Sequence, residues 1–152
     1  MKKFTIIAMM FTVLTSFVYA DSSLTRKSVI KDAEKNNYSL LARQDDFLYA
    51  YSLYTDKNGI FYFYMEESLS NNVFLYTESG QVTKEDVQKK MNNSESSEKI
   101  INKDYVVYQV YMGFFASPRY YYYVKTPKGN FYSISKFVKK IDADSDHLVD
   151  EL

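Results

Sequence analysis

Apolar and polar positions alternate most regularly between Asp104 and Val138, where DYVVYQVYMGFFASPRYYYYVKTPKGNFYSISKFV holds three aromatic and β-branched runs. Two turn clusters separate them, Ala116-Ser117-Pro118 and Pro127-Lys128-Gly129-Asn130. Aromatic and β-branched residues fit a pleated, half-buried surface, so the pattern predicts a three-stranded antiparallel meander. A three-residue loop at 116–118 would pair Phe115 with Arg119. Val106, Tyr108, Val110, Met112 and Phe114 then share an apolar face with Tyr120, Tyr122 and Val124. A second loop, pairing Thr126 with Tyr132, adds Ile134 and Val138, with Lys136 as the one misfit. The opposite face would carry Gln109, Tyr111, Gly113, Arg119, Tyr121, Tyr123, Lys125, Ser133 and Ser135. Because side chains alternate with period two, a one-residue slip would exchange the two faces.

Upstream, the same signals recur. Ser22 or Ser23 can cap a helix from Leu24 to Lys35, with Val29, Ile30 and Ala33 as a narrow apolar stripe and Asn36-Asn37 at its end. Tyr38–Ala42 reads as a short strand and Arg43–Asp46 as a polar turn. Phe47–Thr55 and Ile60–Glu66 flank Asp56-Lys57-Asn58-Gly59, a type I turn closed by a left-handed glycine. Val73–Thr77 is a third strand, after the polar break Ser68–Asn72. Thr83 begins the clearest helix: its hydroxyl can cap the amide of Asp86, Val82 and Val87 make a hydrophobic staple, and Asn92-Asn93 stops it. Asn93–Glu98 reads as a polar, mobile connection.

The order helix, three strands, helix, three strands repeats at a spacing of about sixty residues, with little similarity between the halves, whereas repeats of such period normally show sequence echoes. The expectation is therefore one α+β domain: an antiparallel sheet of about six strands, built from two three-stranded meanders, with two helices on one face.

The N-terminus sets the compartment. Lys2 and Lys3 precede an apolar run from Phe4 to Val18, and Val18-Tyr19-Ala20 places small residues at the −3 and −1 positions of a cleavage site. This is the pattern of a secretory signal peptide, so the organisation expected is a leader at 1–20, an α+β domain at 21–140 and an acidic, disordered tail at 141–152. The run is short for a membrane span and no basic stop-transfer cluster follows, so no membrane anchor is expected after cleavage. The mature chain would be periplasmic or secreted, and the short Lys-Lys leader is bacterial in style. Loss of Lys2 and Lys3 leaves it slightly acidic, without the basic stripe that nucleic acid binding requires. Cysteine is absent, so an exported domain of this size must be held by its core alone.

Catalytic constellations are sparse. The single histidine, His147, lies in the acidic tail, where a solvated role is expected. Without cysteine or clustered histidine there are no zinc ligands, and no glycine-rich loop cradles phosphate; no cofactor and no metal are expected. Asp142, Asp144 and Asp146 begin like a calcium loop, but His147 replaces the sixth-position glycine and no position-twelve glutamate follows. Asp45-Asp46 and Glu66-Glu67 are the carboxylate pairs a hydrolase would draw on, and adjacent acids at strand ends are more often solvated edges.

Tyrosine is the positive signal: sixteen residues, fifteen of them after Ala20, and no tryptophan. Four consecutive tyrosines, Tyr120–Tyr123, must point two to each face of a strand. Rigid aromatic area mixed with serine and arginine is the composition of recognition surfaces. The sequence thus points to a non-enzymatic protein that binds another protein through Gln109, Tyr111, Arg119, Tyr121, Tyr123 and Lys125, as an inhibitor or immunity-type factor would. Small exported proteins of those kinds share this layout, a likeness of fold alone. The alternative is a small-ligand binder with Tyr62, Tyr64, Tyr108 and Tyr111 around an aromatic pocket, and third a carboxylate-dependent hydrolase.

Overall fold

The computed structural model describes residues 24–113, 117–142 and 148–150. The expected leader and its cleavage site lie outside them, as do Phe114–Ala116, the centre of the acidic segment with Asp144, Asp146 and His147, and the last two residues.

Over the described residues the chain is an antiparallel, strand-rich α+β protein with two helices. A short strand β1 (Leu24–Arg26) leads into helix α1 (Lys27–Lys35). A four-stranded meander follows: β2 (Ser39–Asp45), β3 (Tyr49–Thr55), β4 (Phe61–Glu67) and β5 (Asn72–Thr77). The order then repeats with β6 (Gly80–Val82), helix α2 (Lys84–Asn92), β7 (Ser96–Asn102), β8 (Val106–Met112), β9 (Arg119–Lys125) and β10 (Phe131–Ser133). Finally β11 (Lys136–Asp142) returns to the first sheet, and β12 (Leu148–Asp150) pairs with β1.

Ten of the twelve described strands form two five-stranded sheets instead of one sheet of six, in the orders β11-β5-β4-β3-β2 and β6-β10-β9-β8-β7, and β1 with β12 makes a separate two-stranded sheet. The two five-stranded sheets pack face to face. Ala42, Tyr51, Leu53, Phe61 and Phe63 from the first meet Ile100, Ile101, Val107, Tyr122, Val124 and Ile134 from the second. Each of these two sheets carries one helix on its outer face, correcting the expectation of both helices on one side. Val29 and Ala33 of α1 cover Tyr54, Tyr64, Val73 and Leu75. Val87 of α2 covers Val110, Tyr123 and Phe131. The reason lies in strands such as β4, whose residues 61–64 read Phe-Tyr-Phe-Tyr: neither face is polar enough for water, so each needs a covering layer.

Local chemistry places the elements. Thr83 Oγ1 accepts from the Asp86 amide at 3.0 Å and the Asp86 carboxylate accepts in return from the Thr83 amide, a complete capping box, with Val82 and Val87 in one apolar cluster. The Asp56–Gly59 turn also forms as expected, with Asp56 Oδ1 accepting from the amides of Asn58 and Ile60 and Gly59 at φ 80°. Helix α1 starts three residues later than its serine caps imply, because Leu24–Arg26 is spent on pairing with Leu148–Asp150. The run Phe131–Val138 is not one strand. Ser135 Oγ accepts from the Tyr122 amide at 2.8 Å and donates to the Tyr122 carbonyl at 3.1 Å, taking over the β9 backbone where β10 ends. The chain then crosses, and Lys136 pairs with Thr77 in the other sheet. Lys136 is no misfit there, and Val138, expected on the apolar face, is exposed at a bulge.

The β8–β9 register also differs. Val110 pairs with Tyr121 and Met112 with Arg119, leaving a longer connection than the three-residue loop at 116–118. The offset is odd, so the faces recombine: Tyr108 and Val110 lie with Tyr121 and Tyr123 under α2, while Val107, Gln109 and Tyr111 lie with Tyr120, Tyr122 and Val124 toward the other sheet.

Candidate binding surface

The six residues expected to form one recognition face are divided between two faces. Tyr123 is only 9% exposed and packs on Val87, Val110 and Phe131, so it is core and not a free aromatic. Tyr121 is half-buried, with Lys90 of α2 3.9 Å above its ring. Arg119 is exposed on this face; its hydrogen bond to the Tyr121 hydroxyl, with the charge of Lys90, lowers that phenol's pKa. Lys125 is half-buried at the far end of β9, paired with Val106 and Phe131. Gln109 and Tyr111 face the opposite way. Gln109 Nε2 donates to Glu98 Oε1 at 3.4 Å, and Tyr111 stacks obliquely on Tyr120 with ring centres 5.0 Å apart.

The aromatic quartet Tyr62, Tyr64, Tyr108 and Tyr111 is likewise dispersed. Tyr62 and Tyr64 belong to the α1 side of the first sheet, Tyr108 lies under α2, and Tyr111 is toward the other sheet. Tyr64 is fully buried and donates to Asp32 Oδ2 at 2.6 Å, while Lys139 Nζ binds Asp32 Oδ1 at 2.5 Å.

Asp46 of the first carboxylate pair and both members of the second are engaged in the framework. Asp46 Oδ1 accepts from the amides of Leu48 and Tyr49, each at 2.8 Å. Glu66 is buried and Oε1 accepts from the Arg26 amide at 2.9 Å. Glu67 Oε2 accepts from Ser70 Oγ at 2.6 Å and Asn72 Nδ2 at 3.0 Å, bonds that lower its pKa. Among the described residues no group of three or more His, Cys, Asp or Glu is placed to hold a metal ion.

What composition did not single out is an apolar end of the sandwich. Phe47 is 89% exposed, Leu69 84% and Leu48 47%. Phe47 and Leu48 sit in the β2–β3 connection, Leu69 in the β4–β5 connection, and both leave the same end of the first sheet. From the second sheet Tyr120, 49% exposed, comes to this end, close enough to act electrostatically on the Tyr51 hydroxyl together with Tyr49. Leu48, Tyr49, Glu67, Leu69 and Ser70 line a shallow hollow of about 230 Å³ here. A larger one, about 510 Å³, is lined among the described residues only by polar side chains of α2 and its cap.

The loops carrying these side chains are tied down. The Asp46 amide donates to Tyr49 O at 2.8 Å, closing a tight turn. Ser68 N donates to Leu48 O at 2.8 Å, joining the two connections. Arg26, 5% exposed, reaches from β1 with Nη2 to the carbonyls of Glu67, at 2.6 Å, and Ser70. The signal available in the sequence was a large apolar residue inside each polar turn, Asp45-Asp46-Phe47-Leu48 and Glu67-Ser68-Leu69-Ser70. Strand propensity absorbed Phe47 into the following strand and concealed it.

Compared with family models, with curated proteins and with solved structures, the chain finds no match in any of the three.

Proposed function

We propose that this is an exported, non-enzymatic protein that binds another protein through the apolar end of its sandwich, with Phe47, Leu48 and Leu69 as anchors and Tyr120, Tyr111 and Gln109 beside them. The observation that carries the reading is the exposure of Phe47 and Leu69 on loops cross-linked by the Ser68–Leu48 hydrogen bond. Burying a side chain of this size is worth roughly 1.5–3 kcal/mol, which a chain leaves unclaimed at two adjacent sites only at some risk of aggregation. Fixing the loops in advance lowers the ordering cost that a partner must offset. Aromatic anchors surrounded by tyrosine and polar groups match the anatomy of interface hot spots. The inhibitor or immunity-type role belongs to this reading as its biological form.

The test is affinity capture from whole-cell and envelope extracts with the chain starting at Asp21, alongside a Phe47→Asp/Leu69→Asp double variant. A partner reproducibly held by the wild type and lost from the equally folded variant supports the proposal. Retention of the same partner by both proteins overturns it.

A further inference from the structure

The two sheets differ beside their central strands. In the first, β4 is paired with β5 through Tyr62–Glu66. In the second, β9 is paired with β10 only at Tyr123, Val124 and Lys125. Ser135 then caps Tyr122, and among the described residues no strand lies beside Arg119–Tyr121 on that side. The Tyr122 amide and carbonyl point toward β10, since they bond with Ser135 Oγ and the Ile134 amide. Backbone groups alternate in direction along a strand, so the amide and carbonyl of Tyr120 point the same way, into an open strand position.

The first sheet shows the same gap from across the sandwich. Tyr122 meets Tyr76 of β5 with ring centres 5.2 Å apart, and Tyr76 meets Phe137 of β11 at 5.8 Å. A strand continuing the line of β10 would lie over Tyr76 and Phe137. That line stops short, and Phe137 is left 55% exposed, with Tyr120 49% exposed beside it. The opposite side of the position is basic. Arg119 is exposed on the α2 face of β9, and Lys90 stands 3.9 Å above the Tyr121 ring. Lys89 and Lys90 form the last turn of α2, while Glu85 and Asp86 are in its first. Glu98 is on β7, two strands from β9, and hydrogen-bonds Gln109. Strand β11 is an edge too, but its three lysines and the bulge at Val138 are the usual guards against pairing. Arg119–Tyr121 has neither lysine nor bulge.

Going beyond the apolar end, we infer that an extended segment of a partner protein adds as a strand beside Arg119–Tyr121, with an apolar side chain turned inward onto Phe137 and Tyr120 and an acidic one outward to Arg119 and Lys90. In this mode main-chain hydrogen bonds supply affinity, and the alternate side chains choose the segment. The period of two in a strand sets its pattern, apolar and acidic in turn. Charge complementarity favours such a segment over a second copy pairing through β11, whose lysines would stand against Arg119.

The experiment offers end-capped peptides of about seven residues, the length of an ordinary strand, to the chain starting at Asp21. They are alternating Val/Glu, alternating Val/Lys, and Val/Glu N-methylated either at its valines or at its glutamates. Binding is read by calorimetry over a range of salt, exchange of the Tyr120 amide by NMR, and mass by sedimentation. Val/Glu is expected to bind roughly tenfold or more tightly than Val/Lys, with affinity falling as salt rises. One N-methylated peptide should lose binding and the other keep it, because only alternate amides face β9. The Tyr120 amide should exchange rapidly in the free protein and several-fold more slowly in the complex. Arg119→Gln/Lys90→Gln and Phe137→Asp, each with its fold checked by circular dichroism, should weaken binding several-fold. Absence of Val/Glu binding, equal affinity for Val/Lys, or equal behaviour of the two N-methylated peptides overturns the inference. So does a Tyr120 amide already protected in the free protein, which would mean that this chain or a second copy fills the position. Val/Glu binding lost in Phe47→Asp/Leu69→Asp also overturns it, by moving the peptide to the apolar end. Failure of the peptides, with a natural partner still lost from Phe47→Asp/Leu69→Asp, removes this inference alone. Strand addition, with a natural partner indifferent to Phe47 and Leu69, supports it and removes the apolar-end reading.

Discussion

The amide of Ser68 donates to the carbonyl of Leu48 at 2.8 Å, and through that bond the two loops that expose Phe47 and Leu69 become one unit. Arg26 reinforces it from a distant part of the chain, because its guanidinium holds the carbonyls of Glu67 and Ser70 while its amide binds Glu66. A buried cation whose hydrogen bonds go to loop carbonyls keeps that loop in place. Arg26→Met keeps the apolar stem and removes the donors. It should cost about 2–4 kcal/mol of stability, as other broken buried polar networks do, with faster amide exchange across 67–72. Unchanged exchange in that segment would mean that the loop is held without Arg26.

Tyr121 and Tyr123 sit on the same face of β9 but differ in cover. Tyr123 lies among Val87, Val110 and Phe131, so Tyr123→Ala should destabilise by about 3–5 kcal/mol through lost burial and a cavity. Tyr121→Ala, half-buried beneath Lys90, should cost under about 1.5 kcal/mol. Chemical denaturation of the two variants separates them; equal midpoints would mean that α2 does not cover this face.

Particular residues explain what was legible in advance. The Thr83 cap and the Asp56 turn are local, set by side chains within three or four positions, and both formed as read. The parity of β8 against β9 is not local. Tyr120–Tyr123 is apolar on both sides, so alternation alone could not decide which pair faced which layer; the pairing of Val110 with Tyr121 does. Strand β7 begins Ser-Ser-Glu-Lys because it is an edge, where exposed charge discourages pairing with other chains, and those residues read as a loop. Lys136 did carry a signal: a lysine on an apolar face marked the point at which the chain leaves one sheet for the other.

Ser135 is the hinge of that crossing. Its hydroxyl both accepts from and donates to the Tyr122 backbone, where a strand partner would otherwise stand. Ser135→Ala should leave the buried Tyr122 amide unpaired and cost about 1–3 kcal/mol. Ser135→Thr, which keeps the hydroxyl, should recover most of it. Equal losses for alanine and threonine would place the effect in packing.

Alkaline titration tests the layered core through its phenols. Burial raises the pKa of Tyr51, Tyr62, Tyr64, Tyr76, Tyr122 and Tyr123, helped at Tyr64 by its hydrogen bond to Asp32. A phenol whose folded pKa exceeds the unfolded value of about 10 leaves stability intact below that pH and withdraws it as pH rises further, because the unfolded chain releases the proton first. Stability should therefore decline above about pH 10, with most phenolate absorbance appearing together with unfolding. Tyr121 should depart from the group. The Arg119 hydrogen bond and the Lys90 charge lower its pKa, so it should ionise first, while the protein is still folded, and Tyr121→Phe should delete that early component. Gradual titration of all the tyrosines without unfolding would contradict the buried assignments.

The proposed binding surface has a stability signature of its own. Phe47 and Leu69 contribute almost nothing to the core, so Phe47→Asp and Leu69→Asp should each shift stability by less than about 0.5 kcal/mol. Phe63, a similar side chain at zero exposure between Tyr51, Tyr76 and Tyr122, should cost about 3–5 kcal/mol on truncation to alanine. The loop variants should also be more soluble, since an exposed apolar patch favours self-association. Residues kept large and apolar where folding gains nothing from them are the ones a partner would use. If Phe47→Asp or Leu69→Asp instead unfolded the protein as readily as Phe63→Ala, these side chains would be structural, and the apolar end would lose its claim to be a binding surface.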